Sequence, residues 1–98
     1  MAITERVRLI DEHLRDNLDA IHVEVIDDSV LHAGHLGAQG GGGHFRVLVV
    51  SPHFERASRV AAQRMVYAAL GDLLEHDIHA VQMQTLTPAA WQAQQDRE

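Results

Sequence analysis

A chain of 98 residues, 46% hydrophobic and 22% charged, has the composition of one small globular domain rather than a disordered or fibrous chain. It contains no cysteine, which excludes a disulfide framework, and no apolar run approaches the roughly 20 residues that span a bilayer. A formal charge of −6 opposes unassisted binding to a polyanion, although eight histidines would offset much of it near pH 5.

The N-terminus, "MAITERVRLIDEH", is charged within five residues and has no apolar signal core, so a cytoplasmic location is expected. Ile3, Val7, Ile10, Leu14 and Leu18 recur at helical spacing, with Thr4 as N-cap and Asn17 and Asp19 helping to end the helix. "AIHVEVIDD" alternates, with Ile21, Val23 and Val25 on one face of a half-buried strand and His22 and Glu24 on the other. A second strand, "HFRVLVVS", turns Phe45, Val47 and Val49 to the core, and Pro52 stops it. Ser58 caps a helix carrying Ala62, Val66, Ala69, Leu70 and Leu73, which Gly71 breaks into two. "IHAVQMQTL" is a third strand with His79, Val81 and Met83 on one face. Thr87-Pro88 opens a short last helix that Trp91 docks.

The predicted fold is therefore α+β: a three-stranded sheet covered on one face by helices, in one domain over residues 1–98 with a frayed polar tail from 93 to 98. The segment 29–43 is a glycine- and histidine-rich loop. Its core, "HAGHLGAQGGGGHF", holds three histidines and six glycines in fourteen residues. A phosphate cradle normally opens a helix, whereas this run opens a strand, so that reading is discarded. No hydrolase constellation surrounds Ser29, Ser51 or Ser58, and no enzyme is expected.

If strands two and three are joined by a helical crossover and run parallel, their N-terminal ends coincide. His32, His35, His44 and His79 then gather at one edge of the sheet, whereas His13, His22, His53 and His76 have no reason to join them. Imidazole is the commonest nitrogen ligand of zinc, copper and iron. Without a thiolate the chain cannot hold a conventional iron–sulfur cluster alone, but two histidines can complete one if a partner brings sulfur. The competing reading is structural: a hydrogen-bonded histidine on an apolar strand face, and a His44 that only orients the loop.

Four segments, "EVIDDSVLHAGH", "GHFRVLVVSPHFE", "RMVYAAL" and "IHAVQMQTLTPAAW", together resemble the BolA family over nearly the whole chain. The specific signals are His-Phe-Arg-Val at strand two, Ser-x-x-Phe after it and Ile-His-Ala at strand three. The resemblance implies a class II KH-like sandwich, α-β-β-α-α-β plus a short C-terminal helix, on a three-stranded mixed sheet. It also implies a partnership with a monothiol glutaredoxin that shares a glutathione-ligated [2Fe-2S] cluster, for iron–sulfur trafficking or iron and redox sensing. By the same resemblance His79 and His32 are the ligands, His35 is a rival loop ligand and His44 supports them. The isolated chain is expected to bind no cluster and to be a monomer or weak homodimer.

The sequence departs from the family's pattern at three places. Arg-His-Arg on the second helix is replaced by Ala62-Gln63-Arg64, a glycine after the Ser-x-x-Phe motif by Arg56, and the loop before strand two is longer. The alternative function implied by the resemblance is DNA-binding transcriptional regulation of stress and morphology genes. Arg56, Arg59 and Arg64 are the candidate contacts, weak ones, because the Gly-x-x-Gly clamp of KH domains is absent.

Overall fold

The computed structural model describes residues 3–27, 43–76 and 78–97. In chain order these form α1 (Ile3–Leu18), β1 (His22–Asp27), β2 (Gly43–Val50), a 3-10 turn (Pro52–Phe54), α2 (Arg59–Leu70), α3 (Leu73–His76), β3 (Ile78–Leu86) and α4 (Pro88–Asp96). The sheet order is β1-β2-β3, with β1 antiparallel and β3 parallel to β2. The mixed three-stranded α+β fold expected from the sequence is the one observed.

Helix α1 turns Ile10, Leu14 and Leu18 into the core, where they meet Val23, Phe45, Val47 and Val49 of the sheet and Ala62, Val66, Ala69 and Leu70 of α2. On its outer face Arg15 bridges to Asp11 at 3.0 Å and Arg8 to Glu12 at 2.6 Å, exposed pairs that solvent screens. The Glu12 carboxylate, which accepts a hydrogen bond from Arg8, raises the Arg8 pKa above its ordinary value. Thr4 is the second residue of α1 and so not its cap, since the helix already includes Ile3. Asp19 ends the helix with a positive φ of 50°. Asn17 does something the sequence did not suggest: its side-chain amide donates to the Ala69 carbonyl at 3.0 Å, satisfying an acceptor in the last turn of α2.

The N-caps of the later helices are as expected. The Ser58 hydroxyl accepts from the Ala61 N–H and Thr87 from the Ala90 N–H. Gly71, at φ 52° and ψ −124°, separates α2 from α3 in a conformation that L side chains rarely adopt. Helix α4 extends to Asp96, through most of the expected tail.

Ile21 is a correction. It precedes β1 and is 56% exposed; its N–H donates to the Val50 carbonyl at 2.8 Å while its side chain leaves the core. Val50, to which the sequence pattern assigns no face, is fully buried yet stands outside the main core cluster. Its register partner is His22, and the Trp91 ring of α4 stacks on His22 at 4.5 Å with 20° between planes. Helix α4 therefore covers one end of the sheet face opposite α1 and α2, where strict alternation puts solvent.

The Ser-x-x-Phe motif is a structural node. Ser51 is fully buried, donates to the Leu18 carbonyl at 2.6 Å and accepts from the His53 N–H at 3.0 Å. His53 contacts Asp19 at 2.9 Å, and Phe54 enters the core. One hydroxyl thus ties the end of α1 to the end of β2 and starts the 3-10 turn. Ser51→Ala leaves a buried acceptor and donor without partners and is expected to lower unfolding stability by about 1–3 kcal/mol. Urea denaturation followed by circular dichroism measures it; an unchanged midpoint would show that the node is replaceable.

Candidate functional site

Parallel pairing of β2 and β3 puts their first residues side by side, because the α2–α3 crossover returns the chain to the same end of the sheet. Gly43 faces Ile78 and His44 faces Ala80. His79 falls between the two pairs, at a register break, and has no counterpart on β2. The break explains a second departure from simple alternation. Ile78 is buried, and Val81, three residues on, packs against the same core. A strand of strict period two does not allow that step; one extra residue does. Bulges of this kind re-aim side chains and are common beside functional sites.

The segment expected to form the glycine-histidine loop enters this end of the sheet through Gly43. His32 and His35 lie outside the described residues. The backbone of His44 and that of His79 do come together, and His44 is half-buried. Three histidines set apart by the sequence are occupied elsewhere. His13 contacts the Leu9 carbonyl at 2.8 Å through Nδ1, His22 contacts Glu24 at 2.8 Å, and His53 contacts Asp19. His76 closes α3. Among the described residues no group of three or more His, Asp or Glu side chains is arranged to hold a metal ion. The chain has no cysteine, so no thiolate accompanies the histidines at this end.

Arg56, Arg59 and Arg64 are all exposed. Arg59 opens α2, and Arg64 follows five residues later, about 140° around the helix axis at 100° per residue. Arg59 also lines a cleft of about 450 Å³ with Phe54, Gln63, Met83 and Thr87, where α2, β3 and α4 meet. On the open sheet face, Glu24, Ile26, Arg46, Leu48, Gln82 and Gln84 line a shallower groove of about 350 Å³. No helix among the described residues is long and apolar enough to cross a membrane. Sequence reasoning missed the register break, the Ser51 node and the His22–Trp91 stack. Each depends on the pairing of distant segments; only the Ser-x-x-Phe motif gave a local signal.

Comparison with known proteins follows this architecture. The BolA-like protein family model matches residues 3–90. SufE-like protein 1, chloroplastic/mitochondrial, of Arabidopsis thaliana is 36% identical over 94 residues, covering 91% of this chain; the chain spans only 25% of that protein's length. The DNA-binding transcriptional regulator BolA of Escherichia coli K12 is 33% identical over 96 residues, covering 98% of this chain and 86% of that protein. The solved BolA domain of SufE1 from Arabidopsis thaliana superposes with a TM-score of 0.76 at 38% identity, over 90% of this chain and 98% of that one. With sequence and fold agreeing over most of its length, the chain belongs to the BolA family.

Proposed function

We propose that this protein is a binding partner, not a catalyst: it meets a monothiol glutaredoxin and contributes histidine ligands to a glutathione-bearing [2Fe-2S] cluster held between them. The observation that supports this reading is the register break at His79, beside the end of β2 at which residues 28–42 enter. His79 is carried on a strand, so its backbone is preorganised and little ordering entropy opposes ligation. The second ligand in this reading is His32, with His35 as rival, and His44 supports the loop's return to the sheet. When bound, the cluster supplies a redox-active iron–sulfur unit that can be delivered or sensed. Thiolates come from glutaredoxin and glutathione because this chain has none. A cytoplasmic site of action belongs to the same proposal.

The experiment mixes the protein anaerobically with a glutathione-loaded monothiol glutaredoxin and records visible absorption and circular dichroism. A spectrum distinct from that of the glutaredoxin homodimer is expected. The isolated chain, reconstituted with iron and sulfide, is expected to retain no stoichiometric cluster. A stoichiometric cluster on the chain alone would refute the shared-site reading.

A second reading is DNA-binding regulation, favoured by the name of the Escherichia coli relative. The net charge of −6 makes any such binding weak and salt-sensitive at pH 7.5. Histidines gain positive charge as pH falls, so phosphate attraction grows and binding should strengthen toward pH 5.5. Fluorescence anisotropy with labelled duplexes across pH and salt measures this. Nanomolar, sequence-specific binding at neutral pH and physiological salt would put this reading first.

A further inference from the structure

We propose that the outer edge of β3 is a self-association surface, on which a second copy of this chain pairs antiparallel across a two-fold axis to make one six-stranded sheet. Edge strands carry unpaired backbone donors and acceptors, and folded proteins usually protect them with charge, proline, short length or bulges. The two edges of this sheet differ in that protection. β1 is six residues long and carries Glu24 and Asp27. β3 is nine residues long and contains no lysine, arginine, aspartate, glutamate or proline. Among the described residues, the device within this strand is the register break at His79, which leaves Ala80–Leu86 regular against β2. Among the described residues, no backbone hydrogen bond outside the β2 pairing reaches residues 79–85. Val81 and Met83 face the core yet stay half-buried, unlike Phe45, Val47 and Val49 of the central strand.

The occupant follows from the side chains. Side chains directly opposite in an antiparallel pair share a face. A two-fold axis at Gln82 sets Gln82 against its own copy, Gln84 against Ala80, and Val81 against Met83. An axis at Met83 sets Gln82 against Gln84. Either register opposes no like charges, joins amide to amide on the open face, and covers the exposed flanks of Val81 and Met83. The strand is complementary to itself. Repulsion comes only from the rest of a chain of net charge −6, so added salt should strengthen the pairing.

Sedimentation equilibrium from about 10 μM to 1 mM, at low and high salt, tests this. A weak dimer is expected, of dissociation constant between about 10 μM and 1 mM and tightened by salt. Its formation should slow amide hydrogen exchange across Ala80–Leu86. The double variant Gln82→Lys/Gln84→Lys, at two exposed positions, is expected to weaken dimerisation at least tenfold while circular dichroism stays unchanged. Ile26→Lys, on the same open face but on β1, should leave the dimer intact. A protein monomeric throughout, a dimer that survives the two lysines, or a dimer that Ile26→Lys also abolishes (stacking of open faces) would each overturn the proposal.

Discussion

Phe45→Ala is expected to lower unfolding stability by about 3–5 kcal/mol, the largest loss from any single core truncation here. Phe45 is 2% exposed, on the central strand, between Asp27 of β1 and Val81 of β3 in the register, and belongs to the cluster built by α1, α2 and the sheet. Removing the ring forfeits its transfer free energy and leaves a cavity that two strands and two helices cannot collapse around together. Domains of this size have roughly 5–15 kcal/mol in total, so the variant should be partly unfolded well below the wild-type melting temperature. Phe45→Leu retains most of the volume and should cost less than half as much. Tyr67→Ala, on the exposed side of α2, should stay within about 0.5 kcal/mol of the wild type. Urea titrations read by circular dichroism give all three values. A loss below about 1 kcal/mol for Phe45→Ala would mean that the core is not packed around this ring.

Under the proposed function, His79→Ala is expected to remove a histidine ligand from the proposed cluster, moving the heterocomplex spectrum toward that of the all-thiolate glutaredoxin homodimer. The effect should exceed that of His35→Ala, with His32→Ala between the two or equal to His79→Ala. The ranking rests on ordering entropy. A strand residue has no local substitute, whereas under the proposed function losing His35 leaves His32, and losing His32 leaves His35 three residues away as the rival ligand. Imidazole in place of thiolate raises cluster potentials, with all-thiolate and two-imidazole classes separated by about 250 mV or more. His79→Ala should therefore lower the potential as well as alter the spectrum. Protein-film voltammetry and visible circular dichroism on the same samples supply both readouts. An unchanged spectrum and potential would make His79 a structural residue.

Much of this architecture was legible because its determinants are local. Ser58 and Thr87 accept from N–H groups three residues ahead, and Gly71 serves a backbone conformation that L side chains avoid. The helical spacing of Ile10, Leu14 and Leu18 and the alternation of Phe45, Val47 and Val49 each report one element's own period. The family motifs were legible for the same reason: each is a short contiguous run.

What the chain could not disclose by itself depends on where distant segments meet. Alternation assigns Ile21 to the core. The structure reverses this, because Ile21 precedes β1. Nor does alternation along one strand foretell that α4 returns from 41 positions beyond Val50 to lay Trp91 on the neighbouring His22. No residue near Ser51 in the chain indicates that its hydroxyl donates to the Leu18 carbonyl, 33 positions earlier. The same holds at the candidate site. The sequence by itself determined which residue types were available there: imidazoles in quantity, no thiolate, and a glycine-rich approach to β2. Only the tertiary structure decided that His79 occupies a break in register between β2 and β3. A side chain's face is set by the hydrogen-bonding partner of its strand, and no single strand carries that information.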